Sequence, residues 1–188
     1  MDSETITFAL AVIILSISIY FFVGNSVENL GFSGAKFFKG EFWRLFTFSF
    51  VHLNLAHLIG NIIALVITTL LSFEIGLKGE YFILLFFVAS SPIALIEGMF
   101  FPALIIAGAS LGVYSILGGI SISGRRLIPL YFFIPLIVLS IFLNQVFSDS
   151  ISTVGTVFHL FGFIFGITFY YGLIKYNNRK KAYLGVEG

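Results

Sequence analysis

The chain has 188 residues, of which 59% are hydrophobic and only 10% are charged, and its mean hydropathy is +1.07. An average soluble domain is roughly 25% charged, so a water-soluble fold of this size would expose too much apolar side chain, and lipid is the expected solvent. The net charge of +1 argues against the basic stripe that a nucleic-acid partner needs. The absence of cysteine excludes disulfides, thiolate metal sites and cysteine nucleophiles.

The charged residues divide the chain into six long segments that contain no Asp, Glu, Lys or Arg, and each is a candidate membrane span. A spanning helix needs about 20 mostly apolar residues, a length that all but the third segment reach. The third has 16 residues, so its helix is tilted, extended past Glu97 or re-entrant. The predicted helices are 5–24, 47–73, 81–99, 104–122, 127–147 and 153–174, followed by a basic cytoplasmic tail at 175–188. We therefore predict an all-α integral membrane protein with six transmembrane helices, forming one domain over residues 1–188.

The first apolar segment predicts a retained helix rather than a cleaved signal peptide. It follows an acidic stretch, MDSET, where a signal peptide carries basic residues, and it is longer than the apolar region of a signal peptide.

The Lys and Arg residues predict the orientation of the bundle. With the N-terminus in the cytoplasm, seven of these cations lie on the cytoplasmic side and three on the outer side, which satisfies the positive-inside rule and predicts N-in and C-in termini. The seven are Lys78, Arg125, Arg126, Lys175, Arg179, Lys180 and Lys181, and the three are Lys36, Lys39 and Arg44. The outer three share the loop between the first two helices with Phe37, Phe38, Phe42 and Trp43, a mixture that predicts a loop lying in the headgroup layer.

Polar residues inside the apolar segments are costly in lipid and indicate a functional site that faces the bundle interior. His52, Asn54, His57 and Asn61 lie in the predicted second helix, Ser110 near the start of the fourth, and His159 near the start of the sixth. These three helices all begin on the outer side. At a rise of 1.5 Å per residue, His57, Ser110 and His159 would each lie roughly 10 Å below the outer boundary.

Each of these residues has a structural explanation when it is taken alone. A serine in a membrane helix usually bonds to its own i−4 carbonyl, Asn61 fits an interhelical hydrogen bond, and a lone histidine is a packed donor. Their common depth in three separate helices favours a site. Gly162 and Gly166 after His159, and Gly112, Ser115 and Gly119 in the fourth helix, would let two helices approach closely, although ordinary packing explains such residues too.

The residue types at this depth favour nucleophilic catalysis. A serine hydroxyl becomes a useful nucleophile when a histidine within hydrogen-bond reach takes its proton. The acidic residues all fall outside the charge-free segments, so the sequence predicts a Ser110–His159 dyad rather than a triad with a carboxylate. His57 and Asn61 are four residues apart and share a helix face, from which their donors would stabilise an oxyanion.

In these residues the chain resembles the rhomboid intramembrane serine proteases, over about Gly40 to Gly172. Four separated signatures occur in the family's order: Glu41-Phe42-Trp43-Arg44 in the first loop, His52, His57 and Asn61 in the second helix, Gly108-Ala109-Ser110 with Tyr114 and Gly118 in the fourth, and His159-x-x-Gly162-x-x-x-Gly166 in the sixth. The resemblance implies a six-helix rhomboid-like bundle.

The resemblance also implies a role for each matching residue. Ser110 would be the nucleophile and His159 the general base, with His57, Asn61 and the Ser110 backbone N–H as the oxyanion hole. The supporting roles follow the same motifs: Tyr114 would pack against the His159 ring, Trp43 and Arg44 would anchor the first loop, and His52 would be structural. The fifth helix, with Pro129 and Pro135, would be a lateral substrate gate, and Ser148–Thr153 a cap. Leu111 departs from the family, which usually has glycine after the serine.

The predicted function is that of a serine endopeptidase that cleaves transmembrane protein substrates near the outer face, as a multi-pass protein of a prokaryotic cell membrane. Its partners would be these substrates and membrane lipid, with no nucleic acid, and the chemistry requires no metal or other cofactor. The alternative is a catalytically silent rhomboid-like protein that binds membrane clients.

Two further functions are disfavoured. A zinc site built from His52, His57 and His159 is disfavoured because the first two lie about 140° apart around a helix. A transporter is disfavoured because neither repeat symmetry nor a buried charged pathway is evident.

Overall fold

The computed structural model describes residues 3–124 and 153–183, which are helical throughout except for their connections. The helices are α1 (Ser3–Phe22), α2 (Ser26–Leu30), α3 (Gly34–Phe37), α4 (Arg44–Thr47), α5 (Leu55–Glu74), α6 (Gly79–Leu84), α7 (Ser91–Phe100), α8 (Ser110–Ser123) and α9 (Thr153–Tyr183). A 3-10 turn at Phe48–Phe50 follows α4, and a π-helical segment at Leu85–Ala89 joins α6 to α7. The predicted fifth helix and the predicted cap, apart from Thr153, lie outside the described residues.

Four helices among the described residues are long and apolar enough to cross a membrane. They are Ser3–Phe22, Leu55–Glu74, Gly79–Phe100 and Val154–Lys180. The shorter helix α8 has 14 residues and is also apolar. Large apolar side chains such as Ile14, Phe22 and Leu70 lie on the outside of the bundle, 60% or more exposed, as lipid-facing side chains do. The chain is thus an all-helical integral membrane protein, while the count of six helices and the N-in orientation stay predictions.

Two helices begin later in the chain than their apolar segments predicted. Helix α5 begins at Leu55 rather than at residue 47, because Asn54 caps it: its Oδ1 accepts a hydrogen bond of 2.8 Å from the His57 N–H. Helix α8 begins at Ser110 rather than at residue 104. Hydrophobicity marks burial in lipid or protein and does not by itself distinguish helix from extended chain. His57 and Ser110 therefore lie in the first turn of their helices, and the depth predicted from helix rise applies to neither.

The third spanning helix resolves the alternatives that its short apolar segment left open. It runs from Gly79 to Phe100 and so extends past Glu97. Glu97 is only 3% exposed, so one acidic residue is buried within this helix, as the predicted span of 81–99 already implied. Helix α9 likewise continues to Tyr183 rather than ending at residue 174, so the predicted tail begins as helix.

An apolar group that we call the loop cluster joins the first loop to the rest of the bundle. Its buried members are Phe32, Phe48, Ile93, Ala94, Ile106, Leu111 and Phe158. Phe32 and Ile106 also exchange backbone hydrogen bonds of 2.9 and 2.8 Å, so the loop after α2 pairs with the chain that leads into α8. The cluster therefore connects the first loop to the immediate neighbours of both Ser110 and His159.

Arg44 holds the first loop together from within. It is 4% exposed, its Nη1 donates to the carbonyls of Glu28 at 2.9 Å and Gly31 at 2.7 Å, and its Nε donates to Glu41 Oε2 at 2.6 Å. These bonds tie α4 to the end of α2, as the predicted anchoring role requires. Trp43, by contrast, is 52% exposed, and it lies on an outer surface with Phe38, Phe42 and Phe46, a surface of the kind that enters a headgroup layer.

Arg44→Ala is expected to lower the free energy of unfolding by about 3 kcal/mol, because it leaves a buried acceptor cluster without its charged donor. Lys39→Ala is the matched control, since Lys39 is an exposed cation of the same loop and should change stability by less than about 0.5 kcal/mol. Equilibrium unfolding in mixed micelles measures both. Equal stability of the two variants would show that the loop does not depend on Arg44.

Candidate active site

Ser110 and His159 are brought together from two helices. Ser110 is the first residue of α8, and its Oγ lies 2.7 Å from Nε2 of His159 in α9. When the imidazole carries its proton on Nδ1, Nε2 accepts the hydroxyl hydrogen. Among the described residues, His159 Nδ1 has no hydrogen-bond partner. The geometry is therefore that of a serine and a base without a carboxylate in the described part of the chain.

Tyr114 packs face to face against the imidazole ring of His159. Its ring stacks on that of His159 with centroids 4.7 Å apart and an angle of 12° between the planes. Tyr114 lies one helical turn after Ser110 and is 4% exposed. The Tyr114 ring is buried and lies on the same helix as the Ser110 hydroxyl. Its stacking therefore holds the His159 ring in the plane in which Nε2 faces that hydroxyl.

Small residues bring α8 and α9 close enough for this contact. A Cβ added to Gly166 would meet the backbone of Ser115, and one added to Gly118 would meet the Phe163 carbonyl. The single hydroxyl hydrogen of Ser115 is shared between the Leu111 carbonyl of its own helix at 2.9 Å and the Gly162 carbonyl across the interface at 3.2 Å. Larger residues at these positions would separate the helices.

Only part of the small-residue stripe expected on α8 faces α9. Ser115 does, together with Gly118. Gly112 and Gly119 instead accommodate the side chains of Phe86 and Leu85. Those two side chains belong to the π-helical segment, so the stripe divides between two neighbours and fixes α8 from both sides.

His57 and Asn61 lie beside the backbone that leads into Ser110. A Cβ on Gly108 would lie 2.8 Å from His57 Nε2 and 3.6 Å from Asn61 Nδ2, and Gly108 has a φ of +113°. Only glycine fits both the space and the backbone conformation. The Gly108 N–H donates to the Phe48 carbonyl at 2.9 Å, which holds the turn. As the first residue of α8, Ser110 carries one of the N–H groups that a helix leaves unpaired.

His52 lies behind this group. It is 2% exposed, and its ring centroid is 5.3 Å from that of His57. Burial, and to a lesser extent the neighbouring His57, lower the pKa of His52 to about 3, so the ring is neutral at physiological pH. Among the described residues, no three His, Asp or Glu side chains are grouped closely enough to hold a metal ion.

Leu111 packs into the loop cluster. It is 2% exposed, and its Cδ2 lies 3.7 Å from the place of a Cβ on Gly162. The same cluster contains Ile106 and Phe158, so the Leu111 side chain fills space between the first loop and α9. The departure from glycine is thus accommodated by the packing.

Sequence reasoning missed two contacts that shape the site. The Phe32–Ile106 backbone pairing lies in segments that the sequence assigned to loop and helix. The backbone of Gly34 lies against that of Gly98, where no Cβ would fit. A signal for the second was present, because glycine inside an apolar helix often marks close backbone approach.

The family model of the Rhomboid domain matches residues 39–176, well over half of the chain. The comparison with curated proteins gives no match.

Leu111→Ala is expected to lower the free energy of unfolding by about 3 kcal/mol, because it leaves a cavity in the loop cluster. Leu10→Ala in α1 is the matched control, since Leu10 is 52% exposed and its truncation should cost less than about 1 kcal/mol. Equilibrium unfolding in micelles gives both values. A Leu111 variant as stable as the control would show that this side chain is not packed as described.

Proposed function

This chain belongs to the rhomboid family, and we propose that it is an intramembrane serine endopeptidase that uses a Ser110–His159 dyad. The contact of 2.7 Å between Ser110 Oγ and His159 Nε2 is the observation that carries the proposal. A hydroxyl and an imidazole are costly to place inside a membrane bundle, so their occurrence together marks a functional site by default. The Tyr114 stacking supports the same role, because it fixes the ring plane of an imidazole whose Nδ1 has no hydrogen-bond partner among the described residues.

The reaction proceeds in two halves. His159 Nε2 accepts the hydroxyl proton as Ser110 Oγ bonds to the carbonyl carbon of the scissile peptide. The C–N bond then breaks, and the imidazolium returns this proton to the leaving amine. Water attacks the acyl ester in the same way, with His159 as the base, which releases the new carboxylate and restores the serine.

The negative charge that forms on the carbonyl oxygen needs donors on the other side of Ser110. His57, Asn61 and the Ser110 N–H form the proposed oxyanion hole. Both side chains lie against Gly108, two residues before the nucleophile. Preorganised donors of this kind act strongly where water is excluded.

The substrate would be a transmembrane segment that enters sideways from lipid. A peptide bond inside a helix is shielded by its own hydrogen bonds, so the segment must unwind locally, which small or helix-breaking residues favour. The predicted N-in orientation places the cut near the outer face. The fifth helix as gate and the cap loop remain part of this proposal. The prokaryotic cell membrane also stays a prediction.

Covalent labelling by a fluorophosphonate probe is expected for the full chain, because the probe reacts with a serine that a base activates. Ser110→Ala and His159→Ala should both abolish labelling, while Ser121→Ala should not, since the Ser121 hydroxyl bonds only within α8 to the Gly118 carbonyl. Gel fluorescence measures the result in detergent and in bilayers.

An unlabelled wild-type protein that is well folded in bilayers would contradict the protease. It would favour the alternative, a silent rhomboid-like protein that binds membrane clients. Labelling that survives Ser110→Ala would also contradict the dyad.

Asn61→Ala is expected to lower kcat on a transmembrane substrate by roughly 10²-fold, because it removes one donor to the oxyanion. Asn29→Ala serves as the control, since Asn29 is an exposed amide in α2 and should leave kcat unchanged. Steady-state cleavage in proteoliposomes separates kcat from KM. A loss confined to KM would assign Asn61 to substrate binding rather than to the oxyanion.

A further inference from the structure

The third spanning helix contains the π-helical segment Leu85–Ala89 directly before the sequence Ser90-Ser91-Pro92. Proline has no N–H, and its ring clashes with the carbonyl four residues earlier, so Pro92 interrupts the hydrogen bonds of a regular α-helix. Inside a membrane span the freed carbonyls need other donors, which serine hydroxyls and a local π-helical adjustment supply. The π-helical segment therefore has a cause in the sequence.

The hydroxyls of Ser90 and Ser91 bond to carbonyls of the π-helical segment. Ser90 Oγ lies 2.5 Å from the Phe86 carbonyl oxygen and 3.3 Å from that of Phe87, so its single hydrogen bonds mainly to Phe86. Ser91 Oγ donates to the Phe87 carbonyl at 2.5 Å. The Ser90 N–H donates to Phe87 rather than to Phe86, its acceptor in a regular α-helix. Since Ser90 is only 1% exposed, water cannot replace its hydroxyl as the donor.

The π-helical segment places two large side chains against α8. Leu85 and Phe86 are both 0% exposed. A Cβ added to Gly112 would lie 2.5 Å from the Phe86 ring and 2.9 Å from its carbonyl oxygen, and one added to Gly119 would meet Leu85. Gly112 follows Ser110 by two residues, which is about 200° around the helix. Phe86 therefore supports α8 on the side away from the Ser110 hydroxyl.

The two halves of the spanning helix have different fixed partners. After the π-helical segment, α7 lies against the first loop, where the Gly98 backbone contacts that of Gly34. Within the segment, the Phe86 ring also packs at its edge against Phe8 of α1, with centroids 5.3 Å apart. A π-helical turn adds one residue to an α-helix, so its loss would rotate one half of the helix against the other by about 100°. Because the first loop holds α7, that rotation would move Phe86 away from Gly112.

We propose that Ser90 and Ser91 are positioning residues for the nucleophile. Their hydroxyls maintain the π-helical segment, which packs Phe86 against α8 and so fixes Ser110 beside His159. In this role neither serine contacts the reacting atoms. The role rests on the proposed protease function, because it concerns the rate at which the same Ser110 hydroxyl reacts.

The test is cleavage of a transmembrane substrate in proteoliposomes by the full chain carrying Ser90→Ala and Ser91→Ala together. We expect kcat to fall about tenfold with KM unchanged, because a nucleophile displaced by about 1 Å can lose roughly 10²-fold in rate. Ser121→Ala is the matched control. Ser121 is also buried, and its hydroxyl donates to the Gly118 carbonyl within α8, so its removal should leave kcat unchanged.

Gly112→Ala tests the same contact with both serines in place, and it decides the question if the double alanine variant does not fold. The added Cβ would meet the Phe86 ring and carbonyl, so α8 must shift and kcat should fall with KM unchanged. Gly172→Ala is the matched control in α9, because nothing lies within 4 Å of the Cβ that it adds. It should leave kcat unchanged.

Fluorophosphonate labelling of wild type separates this proposal from the proposed function. If wild type is labelled, a kcat equal to that of the controls in either the double serine variant or Gly112→Ala would overturn the positioning role alone. A loss confined to KM would overturn it too, since it would assign the serines to substrate binding. If folded wild type is not labelled, the protease function is contradicted and the positioning role fails with it.

Discussion

The close approach of α8 and α9 is the constraint on which the rest of the structure depends. A hydroxyl and an imidazole on different helices lie 2.7 Å apart only because Gly118 and Gly166 leave no side chain between the backbones. In lipid, no hydrophobic force drives two apolar helices together, so small residues and interhelical hydrogen bonds must hold them. Ser115 supplies such a bond to the Gly162 carbonyl. The contact that packs α8 against α9 thus also sets the distance between Ser110 and His159.

The loop cluster extends this constraint to the first loop. Leu111 and Phe158 are the chain neighbours of Ser110 and of His159, and both pack with Phe32 and Phe48 from the loop. A shift of the loop would therefore displace the chain on either side of the Ser110–His159 contact. Arg44 stabilises the loop through backbone carbonyls rather than through the site itself. A residue far from the chemistry can in this way determine the position of the reacting atoms.

The sequence predicted the helical class and the residues that meet near Ser110, because polar groups of complementary chemistry occur near the starts of three separate apolar segments. It did not predict where α5 and α8 begin. Asn54 was taken as a polar helix residue, whereas its extended backbone and the bond that its Oδ1 accepts from the His57 N–H show it to be a cap. The extended approach through Ile106 was equally hidden, since an apolar stretch has the same composition whether it is helical or pairs with Phe32. A long-range backbone pairing leaves no signal in the local sequence, whereas a polar side chain inside an apolar segment does.

The Ser110 end of the bundle concentrates buried polar side chains. Near Ser110, hydroxyl, imidazole and amide groups face one another, and Gly108 keeps the space between them open. A polar group in a membrane protein persists when a partner satisfies it. The described residues pair the Ser110 hydroxyl but leave His57 Nδ1, Asn61 Oδ1 and His159 Nδ1 without a hydrogen-bond partner, so the polar atoms around Ser110 are only partly satisfied within the described part of the chain.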